Sequence, residues 1–71
     1  NAQNSQPNFR RALARAQGLA GFACIKSGDK EKAKQHYELA QAEWETYVSQ
    51  NPGDTDAIRA AQWTKEQLKG L

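Results

Sequence analysis

The chain has 71 residues, a mean hydropathy of -0.94 and a net charge of +2 at pH 7. This length allows one small domain, close to the lower size at which a single core outweighs chain entropy, so we expect a piece of a larger protein or a domain stabilised by a partner. The single cysteine excludes an internal disulfide, and no apolar run approaches the roughly 20 residues that a membrane span requires.

Charge is distributed unevenly between the two halves of the chain. Residues 1–36 carry seven basic and two acidic side chains, a net charge of +5, whereas residues 37–71 carry three basic and six acidic ones, a net charge of -3. Such asymmetry can steer a partner or pair neighbouring helices. No recognition motif accompanies the cluster of Arg10, Arg11 and Arg15, so a nucleic-acid partner is not expected.

The chain opens with a polar segment, residues 1–8, which we expect to be a disordered lead or linker. Asn8 is a candidate N-cap for a first helix over residues 9–27, which is rich in alanine, leucine and arginine and has no proline. Seven residues share one face of this helix, and we predict that this face enters the core: Phe9, Leu13, Ala16, Gln17, Ala20, Ala23 and Cys24.

The opposite face of the first helix mixes large apolar side chains with cations. It holds Arg11, Arg15, Gly18, Leu19, Phe22, Ile25 and Lys26. A lone surface helix would not normally expose so many apolar residues. Two interpretations stay open: a third helix covers part of this face, or the face is a groove for a segment of a partner.

A second helix is predicted over residues 30–50. Gly28 can adopt positive φ and end the first helix, and Asp29 can cap the second one. Five residues then recur at steps of four and three, which keeps them on one buried face: Ala33, Tyr37, Ala40, Trp44 and Tyr47. Small and aromatic residues alternate along this face, which is typical of two closely packed helices.

The residues Asn51, Pro52 and Gly53 predict a turn, after which Asp54 or Thr55 can cap a third helix over residues 55–69. Its inner positions are Ala57, Ala61, Thr64 and Leu68, and Gly70 supplies the stop. Trp63 projects from one flank, either as an edge residue over a neighbouring helix or as an exposed anchor for a partner. The fold prediction is one all-α domain, residues 9–71, of three antiparallel helices. Besides Ala33, Tyr37, Ala40 and Trp44 of the second helix, we predict that five further residues are mostly buried: Leu13, Ala20, Cys24, Ala61 and Leu68.

The spacing of Gly21, Gly28-Asp29, Ala33, Tyr37 and Ala40 resembles the tetratricopeptide repeat, with Asn51-Pro52 after the second helix like the proline that ends such repeats. The likeness covers about residues 14–52. Gln17, Ala20 and Cys24 stand where that family prefers tryptophan, leucine and tyrosine. The resemblance implies a tetratricopeptide-like helix pair with a third helix that packs on it or caps it.

The segments GDKEKAKQHYELAQAEW and AIRAAQWTKEQL also resemble the microtubule-interacting and trafficking domain, a three-helix bundle that binds peptides along its helix grooves. The connection between the second and third helices differs in length from that family. Both resemblances imply a peptide-binding helical module.

The sequence predicts no catalytic residue, no metal site and no cofactor, and we do not expect an enzyme. His36 is the only histidine, and its spacing of 12 residues from Cys24 fits no recognised metal motif. We expect a protein-interaction module or scaffold that binds a segment with acidic and apolar side chains. The alternative is a structural capping or oligomerisation domain, which includes a homo-oligomer. The candidate partner-binding residues are Arg11, Arg15, Leu19, Phe22, Ile25, Lys26 and Trp63.

Overall fold

The structure is a computed structural model that describes the backbone of residues 7–71 and the side chains of residues 9–71. It has three α-helices, α1 (Pro7–Lys26), α2 (Lys30–Gln50) and α3 (Thr55–Lys69), and no strand within the described residues. The all-α, three-helix prediction is therefore confirmed. The expectation for residues 1–6 lies outside the described part of the chain.

The start of α1 differs from the prediction. The helix begins at Pro7, two residues earlier than predicted, so Asn8 lies inside the helix and the prediction of an N-cap there is wrong. Proline is favoured at the first helical position because its fixed φ suits the helix and its missing N–H would have no intrahelical partner.

The two interhelical turns form as the sequence predicts. Gly28 has a φ of 88°, which only glycine adopts without strain, and the side chain of Asp29 accepts a hydrogen bond from the Lys32 backbone N–H at 3.1 Å. Asp54 caps α3 by accepting from the Ala57 backbone N–H at 3.1 Å. At the far end of α3, Gly70 has a φ of -80°, so that stop does not use glycine's conformational freedom.

The middle helix supplies most of the core. All five residues of the predicted α2 face are buried: Ala33, Tyr37, Ala40, Trp44 and Tyr47. Helix α2 packs against both α1 and α3, whereas α1 and α3 hardly touch each other. The molecule measures 38 × 24 × 14 Å, and three helices side by side at 8–10 Å spacing span about 21–25 Å. The helices therefore form an open layer with α2 in the middle.

The predicted core face of α1 is wrong. Leu13 is 39% exposed and Phe9 is 52% exposed, while the buried residues of this helix are Ala14, Gly18 and Gly21. The short distance between α1 and the Tyr37 ring explains this choice of face. Even a Cβ at Gly21 would lie only 2.9 Å from Cε1 of Tyr37. Only small residues allow α1 to approach α2 this closely.

Other members of the predicted core are less buried than expected. Ala16 and Ala23 are exposed, and four further residues are half-buried: Ala20, Cys24, Ala61 and Leu68. In α3 the buried residues are Ala57 and Thr64.

Polar contacts join α1 to α2 on the side away from α3. Arg10 Nη1 lies 2.8 Å from Glu43 Oε1, and Gln17 Oε1 lies 2.7 Å from His36 Nδ1. Residue numbers rise along α1 as they fall along α2, which is the order expected for antiparallel neighbours. His36 is half-buried, as expected for a residue at the boundary of the buried face.

Candidate functional site: a groove between the first and third helices

Because α1 and α3 do not close over α2, a groove remains between them. Its floor includes Trp44 of α2, and its walls come from α1 and α3. A cavity of about 270 Å³ occupies one part of it. The residues that line this cavity define the α1–α3 groove: Arg15, Gly18, Leu19, Phe22, Trp44, Ala60, Trp63 and Thr64.

The groove continues past Arg15 towards the start of α1. A second cavity, of about 540 Å³, is lined by Arg11, Ala12 and Asp56 and shares Arg15, Trp44 and Ala60 with the first. Arg11 and Phe22 mark the two ends on α1, about 16 Å apart along the helix axis at roughly 1.5 Å per residue. The two cavities form one continuous surface of mixed character, apolar at one end and charged at the other.

Three large apolar side chains stand on the walls at the apolar end. Leu19 is 62% exposed, Phe22 is 45% exposed and Trp63 is 44% exposed. Thr64 on the floor is buried, and its hydroxyl donates to the Ala60 carbonyl at 2.8 Å, so it adds no free hydroxyl donor to the groove. Exposed apolar side chains that converge on a concave surface are typical of a ligand-binding site.

Trp63 packs on a neighbouring helix and also remains partly exposed. Its ring lies edge-on to the ring of Tyr37, with 5.7 Å between the ring centroids, so one side of the indole packs on the core. The rest of the ring faces the groove. Tyr37 itself is fully buried, and burial, followed by the nearby Cys24, raises the pKa of its hydroxyl.

Cations border the groove on its α1 wall. Lys26 Nζ lies 5.4 Å from the centroid of the Phe22 ring, within the range of a cation–π interaction. Arg11 Nε lies 3.8 Å from Asp54 Oδ2, a long and partly exposed ion pair. Within residues 9–71, Arg15 and Lys26 take part in no ion pair. Their charge is thus available to an acidic ligand.

A hydrogen-bonded corner joins α2 to α3 beside the charged end of the groove. The Tyr47 hydroxyl donates to Asp54 Oδ2 at 2.7 Å. This bond, followed by the Ala57 backbone N–H, holds the pKa of Asp54 below its ordinary value, and the same bond is the main cause of a raised Tyr47 pKa. The corner fixes the start of α3 relative to α2.

The structure brings together four of the seven predicted partner-binding residues. Arg15, Leu19, Phe22 and Trp63 line the first cavity. Helix α3 borders this face and leaves much of it exposed, and the groove for a partner segment stays a prediction.

The other three predicted residues do not line the first cavity. Arg11 lines the second cavity and Lys26 stacks on Phe22. Ile25 is half-buried and lines neither cavity, so its prediction as a binding residue stays a prediction. Its position follows from the rotated core face of α1, which turns Ile25 towards α2.

Four groove residues are absent from the predicted binding set: Gly18, Trp44, Ala60 and Thr64. The sequence places Gly18 on the mixed face of the first helix and predicts only core positions for Trp44 and Thr64, while nothing in it singles out Ala60. One signal could have found Ala60, because it lies three residues before Trp63 and shares its side of α3.

No family model, curated protein or solved structure matches this chain. The likeness to tetratricopeptide repeats and to microtubule-interacting and trafficking domains therefore stays a hypothesis. In the part of the chain that the structure describes, no helix is long and apolar enough to cross a membrane, and no cluster of three potential metal ligands occurs.

Proposed function

We propose that this chain is a protein-interaction module, not an enzyme, which binds a segment of a partner protein in the α1–α3 groove. The observation that carries the proposal is the convergence of exposed Leu19, Phe22 and Trp63 on one cavity beside unpaired Arg15. Burial of apolar side chains in a groove by a ligand that excludes water contributes favourable binding free energy. A neighbouring cation favours a ligand of opposite charge and helps to fix its register.

The ligand is a segment with both acidic and apolar side chains. Its apolar side chains fill the 270 Å³ cavity between Phe22 and Trp63, and its carboxylates meet Arg15 and Lys26. The distance of about 16 Å between the ends of the groove accommodates about eleven helical residues or about five extended ones. Peptide binding in a helix groove is also what both family resemblances imply.

A titration with defined peptides tests this function. The probe is a synthetic peptide of about eleven residues that carries leucine and phenylalanine one helical turn apart, flanked by glutamates. We expect its addition to shift the backbone amide signals of residues 11–22 and 56–64. A peptide with lysine in place of each glutamate is the matched control and should bind more weakly, increasingly so at low salt.

Variants separate the apolar from the electrostatic contribution. Phe22→Ala should weaken binding at least about tenfold, since a buried aromatic anchor carries much of the binding energy. Leu71→Ala, which removes an apolar side chain that is 40% exposed and lies outside the groove, should leave affinity unchanged. Arg15→Glu should slow association and weaken its salt dependence, whereas Lys34→Glu on the outer side of α2 should have little effect on either. The groove would be refuted as the binding site by amide shifts confined to α2, or by equal losses of peptide affinity in Phe22→Ala and Leu71→Ala.

A structural element that caps a larger helical assembly is the second candidate function. The open layer favours it, because α2 is flanked by only two helices and both broad sides of the layer are left without a covering helix. The same titration discriminates between the two functions. A capping element should bind no free acidic peptide, and Phe22→Ala should then affect only the assembly with the rest of its protein.

A further inference from the structure

The charged end of the α1–α3 groove contains a carboxylate as well as cations. Among the described residues that line the two groove cavities, Asp56 alone is acidic. It belongs to the α3 wall, it is exposed, and within residues 9–71 it takes part in no ion pair. A ligand whose charged side chains are all carboxylates would bring like charge to this position.

The two walls of the groove follow the same order along the chain. Arg11 and Arg15 share the second cavity with Asp56. Leu19 and Phe22 share the first cavity with Trp63. Residue numbers therefore rise together along α1 and α3, and Asp56 lies at the arginine end of the groove. Seven residues separate Asp56 from Trp63, which is about 10 Å along the axis of α3.

The unpaired charges at this end are divided between the walls. On the α1 wall, Arg11 already has Asp54 as a partner at 3.8 Å, whereas Arg15 has no ion pair within residues 9–71. On the α3 wall, the unpaired charge is the Asp56 carboxylate. A ligand that lies between the walls is therefore attracted through acidic groups on its α1 side and through basic groups on its α3 side.

We propose that Asp56 is a specificity-determining residue of the groove and selects a partner segment that carries a basic side chain beside its acidic and apolar ones. This inference rests on the function proposed above. The basic side chain faces Asp56, and an acidic one faces Arg15 across the groove. A segment that is acidic throughout is disfavoured, because one of its carboxylates approaches Asp56. In a helical segment, the basic side chain lies about two turns from the apolar residue that contacts Trp63.

Asp56 also has a structural role that the test must separate from recognition. It lies in the first turn of α3, where a carboxylate stabilises the helix through the macrodipole. Glu31 has the same place in the first turn of α2 and lines neither groove cavity. Removal of either carboxylate weakens the dipole interaction of one helix, but only Asp56 borders the groove. Glu31 is therefore the matched control.

A lysine scan of the acidic probe peptide tests the proposal on the intact chain. Each glutamate of the peptide is replaced in turn by lysine, and the affinity is measured by calorimetric titration at low salt. We expect one position at which lysine tightens binding about two- to fivefold, the range for an exposed ion pair. Asp56→Asn should remove this gain and Asp56→Glu should retain it, whereas Glu31→Gln should leave it unchanged.

Two outcomes would overturn the inference while leaving the groove as the binding site. One is a scan in which peptides shift the groove amides but lysine tightens binding at no position, and the other is a gain that persists in Asp56→Asn. If no peptide of the scan shifts the amides of residues 11–22 and 56–64, the groove itself is rejected and the inference with it. Circular dichroism monitors the fold, and should Asp56→Asn lose helix, Asp56→Ala, with the better helix former, decides in the same assay.

Discussion

Alanine substitution at two glycines of α1 should shift stability in opposite directions, although the two lie less than one turn apart. A Cβ at Gly18 would meet no heavy atom within 4 Å, whereas a Cβ at Gly21 would lie 2.9 Å from Cε1 and 3.1 Å from Cζ of Tyr37. The ring of Tyr37 is fully buried and stands edge-on to Trp63, so it cannot move without displacing a second aromatic ring.

The expected magnitudes follow from two opposing effects. Alanine in place of glycine stabilises a helix interior by about 0.5–1 kcal/mol, and Gly18→Ala should show this whole gain. At Gly21 the same gain is offset by overpacking, which typically costs about 1–3 kcal/mol. The net effect of Gly21→Ala is a loss of up to about 2 kcal/mol, and the two variants should differ by roughly 1–3 kcal/mol.

Urea unfolding followed by far-ultraviolet circular dichroism measures both differences. In thermal melts the midpoints should separate by at least about 4 °C for a domain of this size. Gly21→Ala should also change the fluorescence of Trp63, because the shifted Tyr37 ring alters its surroundings, whereas Gly18→Ala should have little effect there. A Gly21→Ala chain as stable as Gly18→Ala would refute the close approach of α1 to Tyr37.

Three further predictions concern the core and the interhelical corner. The pKa of Asp54 is lowered from 3.8, so its ionised form stabilises the fold at neutral pH and this contribution is lost as pH falls through the lowered value. Asp54→Asn should therefore flatten the decline of the unfolding free energy below about pH 4 in urea titrations, and an unchanged acid slope would contradict this role. Ala40→Leu, at a fully buried position, should destabilise the chain by about 1–3 kcal/mol in the same unfolding assay, and a melt equal to the parent's would show that the helices do not pack closely there. Tyr37→Phe should leave stability unchanged or raise it by up to about 1 kcal/mol, since the buried hydroxyl has no hydrogen-bond partner among the described residues. A clear loss of stability in thermal melts would contradict this and reveal a hydrogen-bond partner.

The three helices were predictable from the sequence because their ends carry specific chemistry. Gly28 with Asp29, and Pro52 with Asp54, define the two turns almost without reference to the rest of the chain. The buried face of α2 was predictable for a related reason: its apolar residues recur at helical spacing, and the positions between them are mostly polar or charged.

The orientation of α1 was not predictable from hydrophobicity. Leucine and phenylalanine favoured the face with Phe9 and Leu13, but the side that enters the core is the one with Gly18 and Gly21, which score low on any apolar scale. The Tyr37 ring on α2 determines which face of α1 can pack closely against α2. The sequence of α1 contains no information about this ring. The periodicity of one helix alone cannot report which of its faces its neighbour can approach.

The groove was predictable only on its α1 side. Arg15, Leu19 and Phe22 share a face whose mixed character is unusual for a solvated helix, and this pattern is visible in one segment. The floor depends on how far α1 and α3 stand apart over Trp44, which is a property of the packing of three helices.

The near-absence of contact between α1 and α3 also has a dynamic consequence. Helix α3 is tied to the rest of the chain mainly through α2, so we expect it to detach and re-form as one cooperative unit without unfolding the α1–α2 pair. The free energy of the local unfolding that allows amide hydrogen exchange should then be lower for α3 than for α2. A ligand that spans the groove would contact α1 and α3 at once and so suppress this local unfolding. Binding should therefore slow amide hydrogen exchange throughout α3, although this helix forms only one wall of the groove.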